Sequence, residues 1–302
     1  MAPARLIELA PDALYVPGAV NVGVIRNAAG EALLVDTGGD KEYGRSLRKL
    51  LEGAGLRPVA ILNTHSHADH YGGNEYLARN LSLPVWAPEL EEAVLHYPYL
   101  EPMYLFGGAA PLAGLRNKWL EAKSSPVDHI YEVVDGPLVV GPFEVMRHVT
   151  SGHAMRQVAV GVGAVCYAAD AFFGAEVLAK YEIPFVHEVG GQLDSLERLL
   201  SLPYDIFLPG HGEPTRDIAF AVASNRAAIE RTAEWVRGAV TGGATTSEVV
   251  HRVTSRLAAP PSTLSTYFLM HACILAYLTY LTSLGDLAPV VEAGALRWVK
   301  TP

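Results

Sequence analysis

Four side chains of types that bind metals in proteins fall within six consecutive positions of this chain: His65, His67, Asp69 and His70. The apolar run from 59 to 62 precedes them and predicts a buried strand, and Gly72-Gly73 follows before a helical pattern begins. The four therefore lie on a strand-to-helix turn, where alternating side chains can point at two neighbouring positions. Imidazole and carboxylate together favour zinc, and to a lesser degree iron or manganese. The alternative is a polar turn that is merely rich in histidine, and the unusual pattern His-x-His-x-Asp-His argues against it.

Three more coordinating residues stand far downstream, each just after a strand-like run. His153 follows Val149-Thr150-Ser151-Gly152, Asp170 ends the run 164–169, and His211 follows Phe207-Leu208-Pro209-Gly210. Ligands at strand ends on one edge of a sheet can converge on a single site. The sequence therefore predicts a metal centre built from the early cluster and these three residues.

With these seven residues the chain resembles the metallo-β-lactamase superfamily, specifically its dinuclear hydrolases of the glyoxalase II type, over roughly residues 10–215. The resemblance implies an α/β fold, a four-layer αββα sandwich, and two Zn²⁺ ions, with Mn²⁺ or Fe²⁺ as alternatives. It implies one ion on His65, His67 and His153, and a second on Asp69, His70 and His211. Asp170 would bridge the two ions.

Two of these positions narrow the choice within the superfamily. Class B β-lactamases have Cys or Ser where this chain has the bridging Asp170, which argues against antibiotic hydrolysis. The diiron flavoproteins have Glu where this chain has His67, which argues against that branch.

Asp36 ends a strand-like run, in Val35-Asp36-Thr37-Gly38-Gly39. The resemblance places this segment beneath the metal site, where the Asp36 carboxylate would accept the second N–H of a ligand imidazole and fix its tautomer. A carboxylate at the N-terminus of the following helix, predicted over 40–54, is the alternative.

An aromatic-rich insertion, residues 96–126, interrupts the alternation of strands and helices. Long irregular segments of this kind are usually functional or disordered, and the aromatic content argues against disorder. We expect either a lid that favours an apolar or acyl substrate group or a dimer contact, and Tyr99 is a candidate for the substrate pocket. The segment 172–186 is expected to form another wall, with Lys180 and Tyr181 as candidates to contact a carboxylate or carbonyl.

Residues 1–215 are predicted to form the catalytic domain and residues 216–302 a small, mainly helical C-terminal domain. A long helix over 217–240, a short helix capped by Thr246 or Ser247, an apolar helix and a hairpin over 286–300 resemble the winged-helix-like tails of some hydrolases of this fold. The apolar stretch 264–284 is long enough to span a bilayer. Polar interruptions and helical spacing favour a buried or subunit-interface helix instead.

The charge distribution limits the partners. The chain has 302 residues and a net charge of −9, which disfavours a general nucleic-acid binder. The tail from Thr215 onward has eight basic and six acidic residues, too few positive charges for a phosphate-binding surface. We expect a small-molecule substrate, no membrane and a homodimer. Cys166 and Cys273 lie in apolar runs and are expected to be buried thiols in a cytoplasmic protein; the N-terminus shows no signal-peptide pattern.

The expected chemistry is attack by a hydroxide that two metal ions generate at neutral pH. Asp69 is the expected catalytic residue, because one carboxylate oxygen binds the second ion while the other orients the hydroxide and accepts its proton. A small ester or thioester is the leading substrate class, as in a glyoxalase II-like or acyl thioesterase. A phosphodiesterase, nuclease or lactonase is an alternative on the same site. A persulfide dioxygenase with one iron on His65, His153 and Asp170 is an alternative of another class. A regulatory metal-binding protein without catalysis is a third.

Overall fold

Two β-sheets face each other at the centre of the molecule, which is described here for residues 5–302 from a computed structural model. The first sheet has seven strands that lie side by side in chain order: β1 (Ile7–Ala10), β2 (Ala13–Val16), β3 (Val22–Arg26), β4 (Glu31–Val35), β5 (Arg57–Leu62), β6 (Val85–Pro88) and β7 (His129–Tyr131). Strands β1 to β4 pair antiparallel, and β4 to β7 pair parallel. The ends of β4 and β5 therefore meet at one edge.

The second sheet has five strands in the spatial order β12-β11-β10-β9-β8. They are β8 (Gly136–Val140), β9 (Phe143–Val149), β10 (Val158–Val162), β11 (Val165–Ala169) and β12 (Ile206–Pro209). Only the β11–β12 pair is parallel, so these two strands end at the same edge. Alternation decides which side chains face the first sheet: Tyr167 of β11 joins the core between the sheets, whereas Cys166 points to the outer helices.

Helices cover the outer face of each sheet. The helices of the first 215 residues are α1 (Lys41–Gly53), α2 (Ala68–Tyr71), α3 (Asn74–Leu81), α4 (Glu91–His96), α5 (Leu100–Leu105), α6 (Ala175–Tyr181) and α7 (Val189–Leu199). Helices α1 and α3 pack on the first sheet through Leu47, Leu51 and Leu77. Helix α7 packs on the second sheet through Leu196 and Leu199. The result is the predicted four-layer αββα sandwich.

The C-terminal region contains α8 (Ile218–Ala239), α9 (Thr246–Thr254), α10 (Leu264–Ser283) and a hairpin of β13 (Leu287–Glu292) and β14 (Ala295–Lys300). Helix α10 is long and apolar enough to cross a membrane by length and composition alone. Its buried side chains, including Cys273, Tyr277 and Leu281, join the same apolar cluster as α7 and α8. Because 28% of its most apolar stretch is buried, the expected role as a buried or subunit-interface helix stays a prediction.

The insertion 96–126 is more regular than predicted, since it contains α5 and a 3₁₀ turn at Ala113–Leu115. Leu105, Leu115 and Leu120 form a small apolar cluster against α10, and the rings of Phe106 and Phe268 lie 5.2 Å apart. The predicted cap of α9 is also wrong by one or two positions. Thr245 caps that helix in a reciprocal capping box with Glu248.

Candidate metal centre

All seven predicted ligands lie at one edge of the sandwich, just beyond the ends of strands. His65, His67, Asp69 and His70 follow β5 in the loop that enters α2, and His153 follows β9. Asp170 directly follows β11, and His211 follows β12 by two residues. Both sheets therefore contribute ligands to one place.

The first group of ligands is formed by His65, His67 and His153, whose ring nitrogens lie within 4.8 Å of one another. The His153 Nε2 and His67 Nδ1 atoms are 2.8 Å apart. Three imidazoles at this spacing could hold one divalent metal ion.

The second group is formed by Asp69, His70 and His211, which also place one ligand atom each within 4.8 Å of the others. The His211 Nε2 atom lies 3.4 Å from Asp69 Oδ2. His211 and Asp69 are partly open to solvent, with side-chain exposures of 22% and 35%, whereas His70 is fully buried.

Asp170 lies between the two groups. One carboxylate oxygen, Oδ2, is 3.2 Å from His153 Nε2 of the first group and 3.5 Å from His211 Nε2 of the second. The other oxygen, Oδ1, is 3.4 Å from His70 Nε2. A carboxylate that faces both groups is positioned as the resemblance implies for a bridging ligand.

The outward nitrogen of four ligand rings is held by an acceptor. The Nδ1 atoms of His153 and His211 point at the carbonyl oxygens of Phe185 (3.0 Å) and Ala19 (2.7 Å). The Nδ1 of His70 lies 2.8 Å from Asp36 Oδ2, and that of His65 lies 3.0 Å from Thr64 Oγ1. In the neutral ring each contact favours the tautomer with its proton on Nδ1, so Nε2, which faces the site, is the nitrogen that can bind a metal ion.

Three atoms in the site are buried and lack a hydrogen-bond partner among the described residues: His65 Nε2, His70 Nε2 and Asp170 Oδ1. Such groups are rare in native proteins because burial removes their hydration without a replacement. Divalent ions would satisfy all three, so the residues present fit a pair of metal ions.

Asp36 lies beneath both groups. Its carboxylate accepts the Thr64 backbone N–H at 2.9 Å and the Thr64 hydroxyl at 2.8 Å, besides facing His70. Because the Thr64 hydroxyl donates to Asp36, it can accept the proton of His65. The alternative role at a helix N-terminus falls to Asp40, which caps α1 by accepting the Tyr43 N–H. Asp36 itself has a left-handed backbone, with φ of 63°, a strained state that is often found at functional sites.

The two groups differ in their protonation. Burial lowers the pKa of His67 to about 4 and that of His153 to about 3, although nearby carboxylates oppose the effect. Burial would also lower the pKa of His70 and His211, but Asp170, with Asp36 or Asp69, outweighs it. The pKa of His70 is raised to about 10 and that of His211 to about 11. For Asp69 burial acts upward, but His211 and His70 outweigh it and lower the pKa of the carboxyl.

The substrate-pocket candidates Tyr99, Lys180 and Tyr181 make cation–π contacts in the described structure. Tyr99 lies under the guanidinium of Arg116, 5.0 Å from the ring centre. Lys180 lies over the ring of its neighbour Tyr181 on the exposed side of α6. Their role in substrate binding stays a prediction.

Two phenylalanines that the sequence did not single out line the ligands instead. The rings of Phe173 and Phe185 lie 5.6 and 5.7 Å from the ring of His153. Both belong to the segment 172–186, whose expected role as a wall of the substrate pocket stays a prediction.

Gly210 makes room for the centre. A Cβ atom at this position would collide with Asp170 Oδ1 and would lie 2.8 Å from His70 Cε1. The close approach of the β12 end to Asp170 therefore requires glycine, which explains the Gly beside His211 in the sequence.

Comparisons with known proteins agree with this geometry. The family described as "Metallo-beta-lactamase superfamily" matches residues 15–211. The probable metallo-hydrolase YqgX of Bacillus subtilis is 31% identical over 191 residues, which cover 61% of this chain and 82% of that protein. A hydroxyacylglutathione hydrolase of Methylobacillus flagellatus is 28% identical over 64% of this chain and 63% of its own length.

The fold extends the likeness to the whole chain. A metallo-beta-lactamase family protein from Thermus thermophilus superposes with a TM-score of 0.72 at 21% identity, covering 100% of this chain and 99% of that one. A beta-lactamase domain protein from Burkholderia ambifaria gives 0.75 at 19% identity, covering 98% and 93%. The sandwich, the groups of His and Asp that suit a divalent metal, and the family match over most of the chain lead to one assignment: this chain belongs to the metallo-beta-lactamase superfamily.

Proposed function

We propose that this chain is a hydrolase that uses two divalent ions, most naturally zinc, to cleave a small ester or thioester. The observation that carries the proposal is Asp170, whose carboxylate lies within 3.5 Å of ring nitrogens from both groups of ligands. A shared carboxylate between two sets of ligands is the arrangement that a dinuclear centre needs.

His65, His67 and His153 would hold one ion, and Asp69, His70 and His211 the other. When bound, the two ions supply Lewis-acid polarisation of the substrate and a lowered pKa for water. In the proposed reaction Asp69 orients the attacking water and accepts its proton on the carboxylate oxygen that does not face His211. The lowered pKa of Asp69 keeps that carboxylate ionised, which is the form that can bind a metal ion and accept a hydrogen bond from water.

Two features support an acyl substrate. The rings of Phe173 and Phe185 form an apolar wall beside His153, and relatives at 28% identity or more are named hydroxyacylglutathione hydrolases. The tail carries only scattered basic residues, which argues against glutathione as the specific leaving group. A short-chain acyl thioester is therefore the first substrate class to assay.

Metal content is the decisive measurement, made on protein purified without added metal. We expect about two zinc or manganese ions per chain, together with activity in a screen of thioesters, lactones and phosphodiesters. The thioesters should react best. A single iron per chain, bound with the Asp69, His70 and His211 group unused, would contradict the proposal and favour a persulfide dioxygenase.

A further inference from the structure

Glu91 is a buried carboxylate close to the metal-binding loops that the ligand pattern does not include. Glu91 is only 1% exposed to solvent. Oxygen Oε2 accepts the backbone N–H of Ser66 at 3.0 Å and also the Ser66 hydroxyl. Oxygen Oε1 accepts the backbone N–H of Arg156 at 2.8 Å. One carboxylate thus receives hydrogen bonds from two separate loops.

Both loops carry ligands of the first group. Ser66 stands between His65 and His67, and Arg156 lies three residues after His153 in the turn that joins β9 to β10. The two loops are far apart along the chain, since the contact from His67 to His153 spans 86 residues. Glu91 therefore joins the two segments whose separation sets the geometry of the first group.

The local backbone aims Glu91 inward. Leu90 has a left-handed backbone, with φ of 69°, and Glu91 is the first residue of α4. In this turn between β6 and α4 the Glu91 side chain is buried against the two loops, while the Leu90 side chain is exposed. A strained residue at this point indicates that the position of Glu91 is maintained by its contacts.

The second group is held differently. Asp36 faces His70 directly, and the Thr37 N–H donates to the His70 carbonyl at 2.8 Å. The His211 ring is held by the Ala19 carbonyl. None of these contacts involves Glu91. The His70 and His211 rings therefore have anchors of their own, whereas the Glu91 bonds hold the segment 65–70 at Ser66, between His65 and His67.

We infer that Glu91 is a positioning residue for the first metal: it fixes the distance between the His65–His67 loop and the His153 turn, and so sets the affinity of that ion. The inference rests on the proposed dinuclear centre. It requires no contact between Glu91 and the metal or the substrate.

The test is Glu91→Gln, which keeps the size of the side chain. An amide group has one acceptor oxygen, so its NH₂ group must face a donor from one of the two loops. Outer partners of metal ligands typically change metal affinity about 10–100-fold, and a loss of that size is expected at the first group.

Two single-site backgrounds separate the groups. His211→Ala leaves the first group intact, and His67→Ala leaves the second. We would measure zinc affinity by competition with a chromophoric chelator in each background. Glu91→Gln should weaken zinc binding about 10–100-fold in the His211→Ala protein and by less than about 2-fold in the His67→Ala protein. Equal affinity in the His211→Ala protein, or an equal loss in both, would overturn the inference.

Two further variants make the result specific. Glu89→Gln is the matched control, because Glu89 meets Arg156 only through a partly exposed ion pair of 3.9 Å, and it should leave both affinities unchanged. Ser66→Ala removes one of the three hydrogen bonds and replaces Glu91→Gln if that protein does not fold. It should weaken only the first group, and an unchanged affinity there would equally overturn the inference. If the parent protein with all ligands binds no divalent ion, the proposed function fails as well; zinc binding without a Glu91 effect rejects the inference alone.

Discussion

The ligand imidazoles of the two groups differ in charge before any metal binds. At pH 7 His67 and His153, with pKa values of about 4 and 3, are neutral. His70 and His211, with pKa values of about 10 and 11, are protonated on both ring nitrogens and positively charged. A metal binds only the deprotonated ring nitrogen. The second ion must therefore displace protons that the first does not.

We accordingly predict that zinc binding to the second group releases about two protons at pH 7 and that binding to the first group releases almost none. The affinity of the second group should fall about 100-fold for each pH unit lost between pH 8 and 6. The zinc affinity of the first group should be nearly constant over the same pH range. Calorimetric titration in buffers of different ionisation enthalpy measures both numbers, with the single-site proteins as references. Equal proton release at the two groups would contradict the prediction.

Asp36 supports rings of both groups, and this gives a second prediction at the scale of single residues. In Asp36→Asn an amide NH₂ would face the Thr64 hydroxyl and the His70 N–H, both donors. Zinc affinity should fall about 10–100-fold at both groups, unlike the selective loss expected for Glu91→Gln. Competition with a chromophoric chelator in the His211→Ala and His67→Ala proteins measures the zinc affinity of each group. A loss confined to the second group would show that the path through Thr64 to His65 is unimportant.

That the seven candidate ligands come together could be predicted from the sequence, because four of them fall within six positions and the other three follow recognisable strands. Glu91 could not, since its partners are 25 and 65 residues away and nothing near it in the sequence marks a metal site. Phe185 could not be predicted either, because its carbonyl contacts the His153 ring from 32 residues away along the chain.

At the scale of elements, the end of β12 must approach Asp170 closely, and Gly210 permits it. Gly210→Ala would place a methyl group where Asp170 Oδ1 lies. The strand end or the carboxylate must then move, and a shift of about 1 Å can lower turnover about 100-fold. We expect such a loss in kcat, together with reduced metal content.

Gly238→Ala is the control for this substitution. A Cβ there would meet no atom within 4 Å, and Gly238 lies in α8. The exchange should stabilise the protein by up to about 1 kcal/mol, because alanine favours the helix. If Gly210→Ala kept full metal content and turnover, the close approach would have no functional importance.

The insertion 96–126 packs against helix α10 through a small apolar cluster. Phe268→Ala would remove the ring that faces Phe106, and partial burial limits the expected loss of stability to about 1–3 kcal/mol. Amide hydrogen exchange should increase over residues 100–120, and metal content should not change. Leu284→Ala, at the exposed end of α10, should leave exchange in the insertion as it is. A KM that rises only in Phe268→Ala would support the lid, and a lost dimer with unchanged kinetics would support the dimer contact.

Most elements follow from the sequence because strands and helices carry clear apolar periodicity. The exceptions are informative. Helix α5 has only six residues and contains Pro102, so its pattern is too short to distinguish from a loop. The sequence predicts Thr246 or Ser247 as the cap of α9, but Thr245 caps it. Of these three adjacent hydroxyl residues only Thr245 lies three positions before Glu248, which is the spacing that closes the capping box.

At the scale of the whole molecule, the centre links both sheets through side chains from the loops after β5, β9, β11 and β12. Ions that bind only the folded chain stabilise it by mass action, by about 4 kcal/mol at 1,000 times Kd. For a chain of this size that corresponds to a Tm about 6 °C higher for each bound ion. Thermal melts with chelator and after added zinc should show this difference. A protein carrying both His67→Ala and His211→Ala should lose it, and an equal shift there would place the stabilising ions elsewhere.

Helix α10 connects the C-terminal region to the rest of the molecule. The same apolar cluster contains Cys166 of the second sheet, Leu196 of α7, Tyr277 of α10 and Trp298 of the hairpin, while α10 also holds the insertion. The last third of the chain is thus built into the outer helical layer. In the presence of chelator, heating should melt the protein in a single cooperative transition with equal calorimetric and van't Hoff enthalpies. A chain ended near residue 215 should aggregate, since the truncation would leave this cluster open to water.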